Sequence, residues 1–147
     1  MKHIVEMINC INLIALLKKM FKSEKFTHVS EFKINHPFEK RIEVCSKILL
    51  KYPDRIPTIV EKANKSTDNI ILRKKKFIVP RDITMGKFIV ELRKHMSDLL
   101  PEESIFLFIQ DALIPTTQNF DQIYNKYKDE DGFLYIILAG ENTFGCN

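Results

Sequence analysis

The sequence predicts an α+β domain. Apolar residues recur at helical spacing in several stretches, and short apolar runs bounded by proline or turn residues alternate with them. The hydrophobic share of 45% and charged share of 29% are those of an ordinary folded domain. At 147 residues the chain is one domain with room for an appendage, and it is long enough to bury a core.

Ile4 to Leu17 is apolar except for Glu6, Asn9 and Asn12, which form one polar stripe on a helix; Lys18, Lys19, Lys22 and Lys25 follow. This stretch is too short and too polar to span a bilayer, and Glu6 spoils it as a signal-peptide core. Three readings stay open: an amphipathic membrane-surface helix, a helix docked on its own domain, or an upstream extension with Met20 as the alternative start. Residues 1–25 are therefore set apart from a folded domain over residues 26–145.

The domain opens on a helix. Pro37 suits a first helical turn, where its missing N–H would be unpaired, and Phe38, Ile42, Cys45, Leu49 and Tyr52 recur at helical spacing before Pro53 stops it. Ile56 to Glu61 reads as a strand, which Pro57 demotes to an edge or to a strand with one unpaired side. After a polar loop come Ile70-Ile71-Leu72 and the basic run Arg73 to Lys76. Phe77-Ile78-Val79 is a short strand stopped by Pro80, and Thr84 caps a helix with Met85, Phe88, Leu92 and Met96 on its apolar face. Ile105 to Ile109 is a buried central strand, and Gln110-Asp111 turns into Ala112-Leu113-Ile114. A short helix carries Phe120, Ile123, Tyr124 and Tyr127, and Phe133 to Leu138 is the last strand. Behind its two leading helices this is the β-grasp order of ubiquitin, a mixed sheet with one main helix across it, although order alone leaves other α+β folds open.

Bulk properties exclude several functions. A net charge of +4 is mild, and no aromatic platform is interleaved with the cations, so no nucleic-acid partner is expected. Three dispersed cysteines give neither a disulfide framework nor a metal knuckle, and they suit a reducing cytosol. Gly86-Lys87 lacks the upstream glycines of a phosphate loop, and His3, His28, His36 and His95 lack metal spacing. No catalytic residue, metal or cofactor is expected, and Cys45 reads as an inert core residue.

Several blocks carry a resemblance: His36-Pro37-Phe38-Glu39-Lys40-Arg41, Lys51 to Pro57 leading into Ile59 to Ala63, and Lys75 to Pro80. Ile123-Tyr124, Lys128 to Tyr135 and the closing Gly140 to Gly145 complete them. In this order and spacing the chain closely resembles the autophagy-related protein 8 family of ubiquitin-like modifiers, which includes the GABARAP proteins. The resemblance implies a modifier and not an enzyme. A cysteine protease would cut after Gly145 and remove residues 146–147, and glycine suits a carboxyl that must enter narrow active sites. Activating-like and conjugating-like enzymes would pass the carboxyl to phosphatidylethanolamine, whose two acyl chains anchor durably. The expected locations are the cytoplasm and autophagosomal or vacuole-directed vesicle membranes. The alternative is an unconjugated peptide-binding adaptor, held at membranes by Ile4 to Leu17.

The resemblance also implies capture of cargo receptors through short aromatic-x-x-aliphatic peptides. Its aromatic pocket would use Ile48, Pro57, Ile59, Lys76, Ile78 and Phe133; its aliphatic pocket would use Arg55, Phe77, Val79, Pro80, Ile83 and Phe88. Lys62 and Lys74 to Lys76 would attract acidic flanks, although such a run also reads as a solvated edge that deters unwanted pairing. Ile59 and Phe88 are expected to be partly core, and Phe77 and Ile78 to serve binding. Two residues depart from the family pattern. Val44 replaces an acidic residue near the aromatic pocket, and Glu91 replaces Leu or Val on the aliphatic wall, making that pocket shallower or selective for a basic group.

Overall fold

A computed structural model of the protein describes residues 28–64, 70–99 and 103–140. The readings made on Ile4 to Leu17, Met20, Gly145 and the last two residues lie outside the described residues. The elements are helices α1 (Glu31–Asn35), α2 (Phe38–Lys51), α3 (Met85–Arg93) and α4 (Phe120–Tyr127), with strands β1 (Arg55–Lys62), β2 (Ile71–Leu72), β3 (Lys76–Pro80), β4 (Met96–Ser97), β5 (Ile105–Ile109), β6 (Ala112–Leu113) and β7 (Leu134–Gly140). Five strands form one mixed sheet in the order β3-β1-β7-β5-β6; β2 and β4 pair separately.

Local chemistry explains the boundaries. Thr84 caps α3, its hydroxyl oxygen accepting from Lys87 N–H at 3.3 Å. Asn119 caps α4 in the same way through Asp121 N–H. Gln110 and Asp111 both have positive φ and join Ile109 to its partner Ala112, the backbone a two-residue hairpin needs.

Alternation along β1 places Ile56 and Val60 on one face and Ile59 on the other. The first face packs with Met85, Phe88 and Leu92 of α3, Phe120 and Ile123 of α4, and Leu134, Ile136 and Leu138 of β7. The second packs with Cys45 and Phe133, against which Phe32, Val44, Ile48 and Leu49 rest. Helices thus cover the sheet on both sides, which is why β1 is buried almost throughout.

Two expectations change. β1 is not an edge: it pairs antiparallel with β3 and parallel with β7. Pro57 is tolerated because its nitrogen faces β7, whose ladder opens only at Thr58. This parity follows from Ala63 N–H donating to Leu138 on the β7 side while Val60 N–H donates to Lys75 on the β3 side. β5 is buried and lies inside the sheet between β7 and β6, as its apolar content indicated. Met96 is buried but belongs to β4, beyond the end of α3. The β2–β4 pairing and the separate helix α1 are additions that the spacing did not indicate.

Candidate functional site

β3 is the outer strand of the main sheet, and its open side has a defined length. In an antiparallel ladder, residues alternate between facing the partner and facing away. Pro57 faces away from β3, so its partner Ile78 directs N–H and C=O outward, and so does Lys76 opposite Ile59. The Ile78 carbonyl accordingly meets Arg55 Nη1 at 3.4 Å from outside the ladder. Pro80 holds the next outward position and has no N–H. An added strand therefore finds donors at Lys76 and Ile78 and then a stop.

Side chains on β3 alternate as its pleat requires. Phe77 and Val79 are buried, whereas Ile78 is 38% exposed. Phe77 meets Phe88 edge to face at 5.5 Å and His95 at 5.5 Å, and Lys74 Nζ lies 4.9 Å above its ring. Beside them opens a groove of about 370 Å³ between β3 and α3. Arg55, Phe77, Val79, Pro80, Ile83 and Phe88, all six residues expected at an aliphatic pocket, line it, joined by Lys74, Ile78, Lys87, Glu91 and His95. Lys87 precedes Glu91 by four residues on α3, and that helical spacing was the signal available for it. His95 follows the helix and had no such signal.

Glu91 is not buried in the groove wall. Its side chain is 54% exposed and accepts from Lys94 Nζ at 2.9 Å. That hydrogen bond, together with the Lys94 charge, holds its carboxyl below the ordinary range. The desolvation cost expected of a buried carboxylate does not arise.

The six residues expected at an aromatic pocket are not gathered in one opening. Ile59 and Phe133 are buried in the second core cluster, with Ile48 packed against them. Ile59 and Lys76 do line a smaller hollow of about 160 Å³, whose other walls include Glu31, Phe32, His36, Glu61 and Lys75. Lys76 Nζ lies 5.4 Å from the Phe32 ring, which stacks on His36 at 4.4 Å. Lys75 Nζ reaches Glu31 across the hollow at 2.6 Å. Among the described residues the opening is thus narrowed by α1, an element whose five residues left no periodic trace. Pro57 and Ile78 are absent from both the hollow and the second cluster. Val44 packs half-buried against that cluster, in an apolar setting that suits it.

Glu61 and Asp131 explain how α1 and α2 are held beside β3. Glu61 Oε1 accepts from Phe32 N–H at 2.8 Å, and Oε2 from His28 Nε2 at 3.0 Å. Burial pushes the Glu61 carboxyl up, but these bonds, with one from Ser30, outweigh it and hold the group below its usual value. Asp131 takes Arg41 Nε at 2.8 Å, the Tyr135 hydroxyl at 2.5 Å and Phe133 N–H at 2.9 Å. Arg41 also donates to the carbonyls of Lys33 and His36, tying both helices to the turn before β7. A third cavity, of about 270 Å³, lies by His28, Lys33, Asp111 and Asp129; in it Lys33 pairs with Asp129, and His28 hydrogen-bonds Glu61.

The sequence and the fold match those of known proteins. The family model for "autophagy protein Atg8 ubiquitin like" matches residues 40–145. The chain belongs to the autophagy-related protein 8 family. It is 56% identical over 120 residues to autophagy-related protein 8 of Dictyostelium discoideum, covering 82% of this chain and 98% of that one. The Emericella nidulans protein is 51% identical over 116 residues, covering 79% and 97%. The crystal structure of Trypanosoma brucei ATG8 superposes with a TM-score of 0.72 at 40% identity, covering 78% of this chain and 97% of that one. A Plasmodium falciparum Atg8, solved in complex with a P. falciparum Atg3 peptide, superposes at 0.65 with 35% identity, covering 76% and 99%. The fold is the ubiquitin-like fold of this family, and the chain is a ubiquitin-like autophagy protein.

Proposed function

We propose that this member of the autophagy-related protein 8 family is a modifier in which the domain of residues 26–145 is matured by a cysteine protease cutting after Gly145. Activating-like and conjugating-like enzymes then join that carboxyl to phosphatidylethanolamine. On autophagosomal or vacuole-directed membranes it recruits cargo receptors through aromatic-x-x-aliphatic peptides. The chain performs no catalysis of its own.

The observation that carries the recruiting step is the open edge of β3 beside the groove of Arg55, Phe77, Val79, Pro80, Ile83 and Phe88. A peptide adding as a strand gains backbone hydrogen bonds at Lys76 and Ile78, and its alternate side chains point into the groove. The aromatic side chain would enter over Ile59 and Lys76, with Ile48, Pro57, Ile78 and Phe133 around it after Lys75 and Glu31 part. That pair is exposed on both sides and costs little to break. The P. falciparum relative solved with an Atg3 peptide supports a conjugating-like enzyme as one ligand of this kind.

Mass spectrometry of the C-terminal peptide from starved cells tests the conjugation step. The expected product in membranes ends at Gly145 and bears phosphatidylethanolamine, and Gly145→Ala abolishes it. A chain still ending at Asn147 in every fraction overturns conjugation and leaves an adaptor held through its N-terminal segment.

A further inference from the structure

We propose that Glu91 reads charge beside the aliphatic anchor of a bound peptide. Partners of this groove then carry a lysine or arginine at one of the two positions following that anchor. The inference rests on the peptide-binding reading of the β3 groove.

Among the described residues lining the groove, Glu91 is the single carboxylate, facing a set of cationic groups made of Arg55, Lys74 and Lys87. Those cations attract acidic groups to most of the rim. Glu91 reverses the sign at one place. Phe88, one helical turn earlier, forms the buried floor, whereas the Glu91 side chain is more than half exposed. The carboxylate therefore stands at rim height. A side chain filling the floor passes beneath it, and a neighbour of that anchor meets it.

The carboxylate is available to such a neighbour. An ionised carboxylate offers about four acceptor positions, and Lys94 Nζ fills one at 2.9 Å. Lys94 lies three residues along and is itself largely exposed, the kind of local pair that a ligand cation displaces at small cost. The group is ionised at neutral pH, as any exposed glutamate is. A lysine or arginine after the anchor gains a partner there, and a glutamate meets a like charge.

Fluorescence anisotropy with aromatic-x-x-leucine peptides tests this. The peptides are identical except for lysine, glutamine or glutamate at each of the two positions after leucine, and they are titrated with the wild-type protein, Glu91→Gln and Lys94→Met. The expected result is a lysine-over-glutamate preference that falls roughly three- to tenfold from wild type to Glu91→Gln, twice the reach of one exposed pair. The same preference widens in Lys94→Met. An equal preference in wild type and Glu91→Gln, with all peptides still binding, overturns the role of Glu91 alone. No saturable binding of any peptide to the wild type overturns the groove reading itself. Both substituted side chains are exposed, so an unchanged circular dichroism spectrum is expected throughout.

Discussion

Gly132 is constrained twice over. Its φ of +92° lies where side chains are strained, and an added Cβ would stand 2.6 Å from Cys45 Sγ on α2. Its N–H donates to Asp129 and its carbonyl accepts from the Tyr124 hydroxyl at 2.8 Å, so the turn cannot swing away. Gly132→Ala is expected to cost roughly 2–4 kcal/mol, the sum of backbone strain and overpacking. In urea denaturation, adding Cys45→Ala should return part of that loss, since it removes the clashing sulfur and leaves the strain. Strictly additive effects would mean that the contact with Cys45 is not what constrains the turn. Cys45 is spared for such packing because it is chemically quiet: burial and the nearby Asp131 charge push its thiol up to about 11. Its core role was legible from helical spacing, as was the Thr84 cap from residue type. The link between Gly132 and Cys45 was not, since nothing in a sequence of one chain says which distant residue a turn will touch.

Among the elements, α1 is the one held mostly by polar contacts. It has five residues, none buried, and is fastened by Glu61, Asp129, Arg41 and the Glu31–Lys75 pair, with the Phe32 ring as its apolar contact. Two of these carboxyls titrate low. For Glu61 and Asp129 alike, burial alone would raise the group, but His28, Phe32 N–H and Ser30 for Glu61, and Lys33 with the Asp131 backbone for Asp129, overcome it. A carboxyl depressed in the folded state contributes stability above its unfolded value of about 4 and loses it as pH falls through the folded one. Hydrogen exchange should therefore show α1 losing protection below about pH 4 while β1 and β7 keep theirs. Glu61→Gln is expected to flatten that dependence and to cost about 1–2 kcal/mol at neutral pH. If β1 and α1 lose protection together, the helix is not fastened separately. Long periodic elements such as α2 and α3 were legible because their apolar stripes must face a core. Elements as short as α1, β2 and β4 leave no period to read, and their placement comes from contacts made elsewhere.

For the whole molecule, the decisive feature is which sheet edge is open. Apolar content read Ile105 to Ile109 as a buried central strand, and Pro57 read β1 as an edge or as a strand with one unpaired side. Strand order keeps β5 inside the sheet but takes β1 off the edge, because β1 pairs in parallel with β7, joining Thr58 to the distant Leu134. The residues that the resemblance groups in one pocket do line a common groove between β3 and α3, whereas those it groups in the other are dispersed, with α1 standing over Ile59 and Lys76. The sheet has two edges. β6 is two residues long and offers little to pair with, whereas β3 presents Lys76 and Ile78 outward. This yields a variant that separates fold from function. Ile78→Pro removes an N–H that points away from β1, and Phe77 before it already has the extended backbone that proline demands. The β1 ladder uses Ile56 with Val79 and Thr58 with Phe77, so it stays intact. Thermal unfolding should shift by only a few degrees, in keeping with a loss of about 1 kcal/mol. Binding of an aromatic-x-x-leucine peptide should fall at least about tenfold, with Ile78→Ala much milder, since alanine keeps the donor. Equal losses in the proline and alanine variants would mean that the side chain, and not strand addition, holds the peptide.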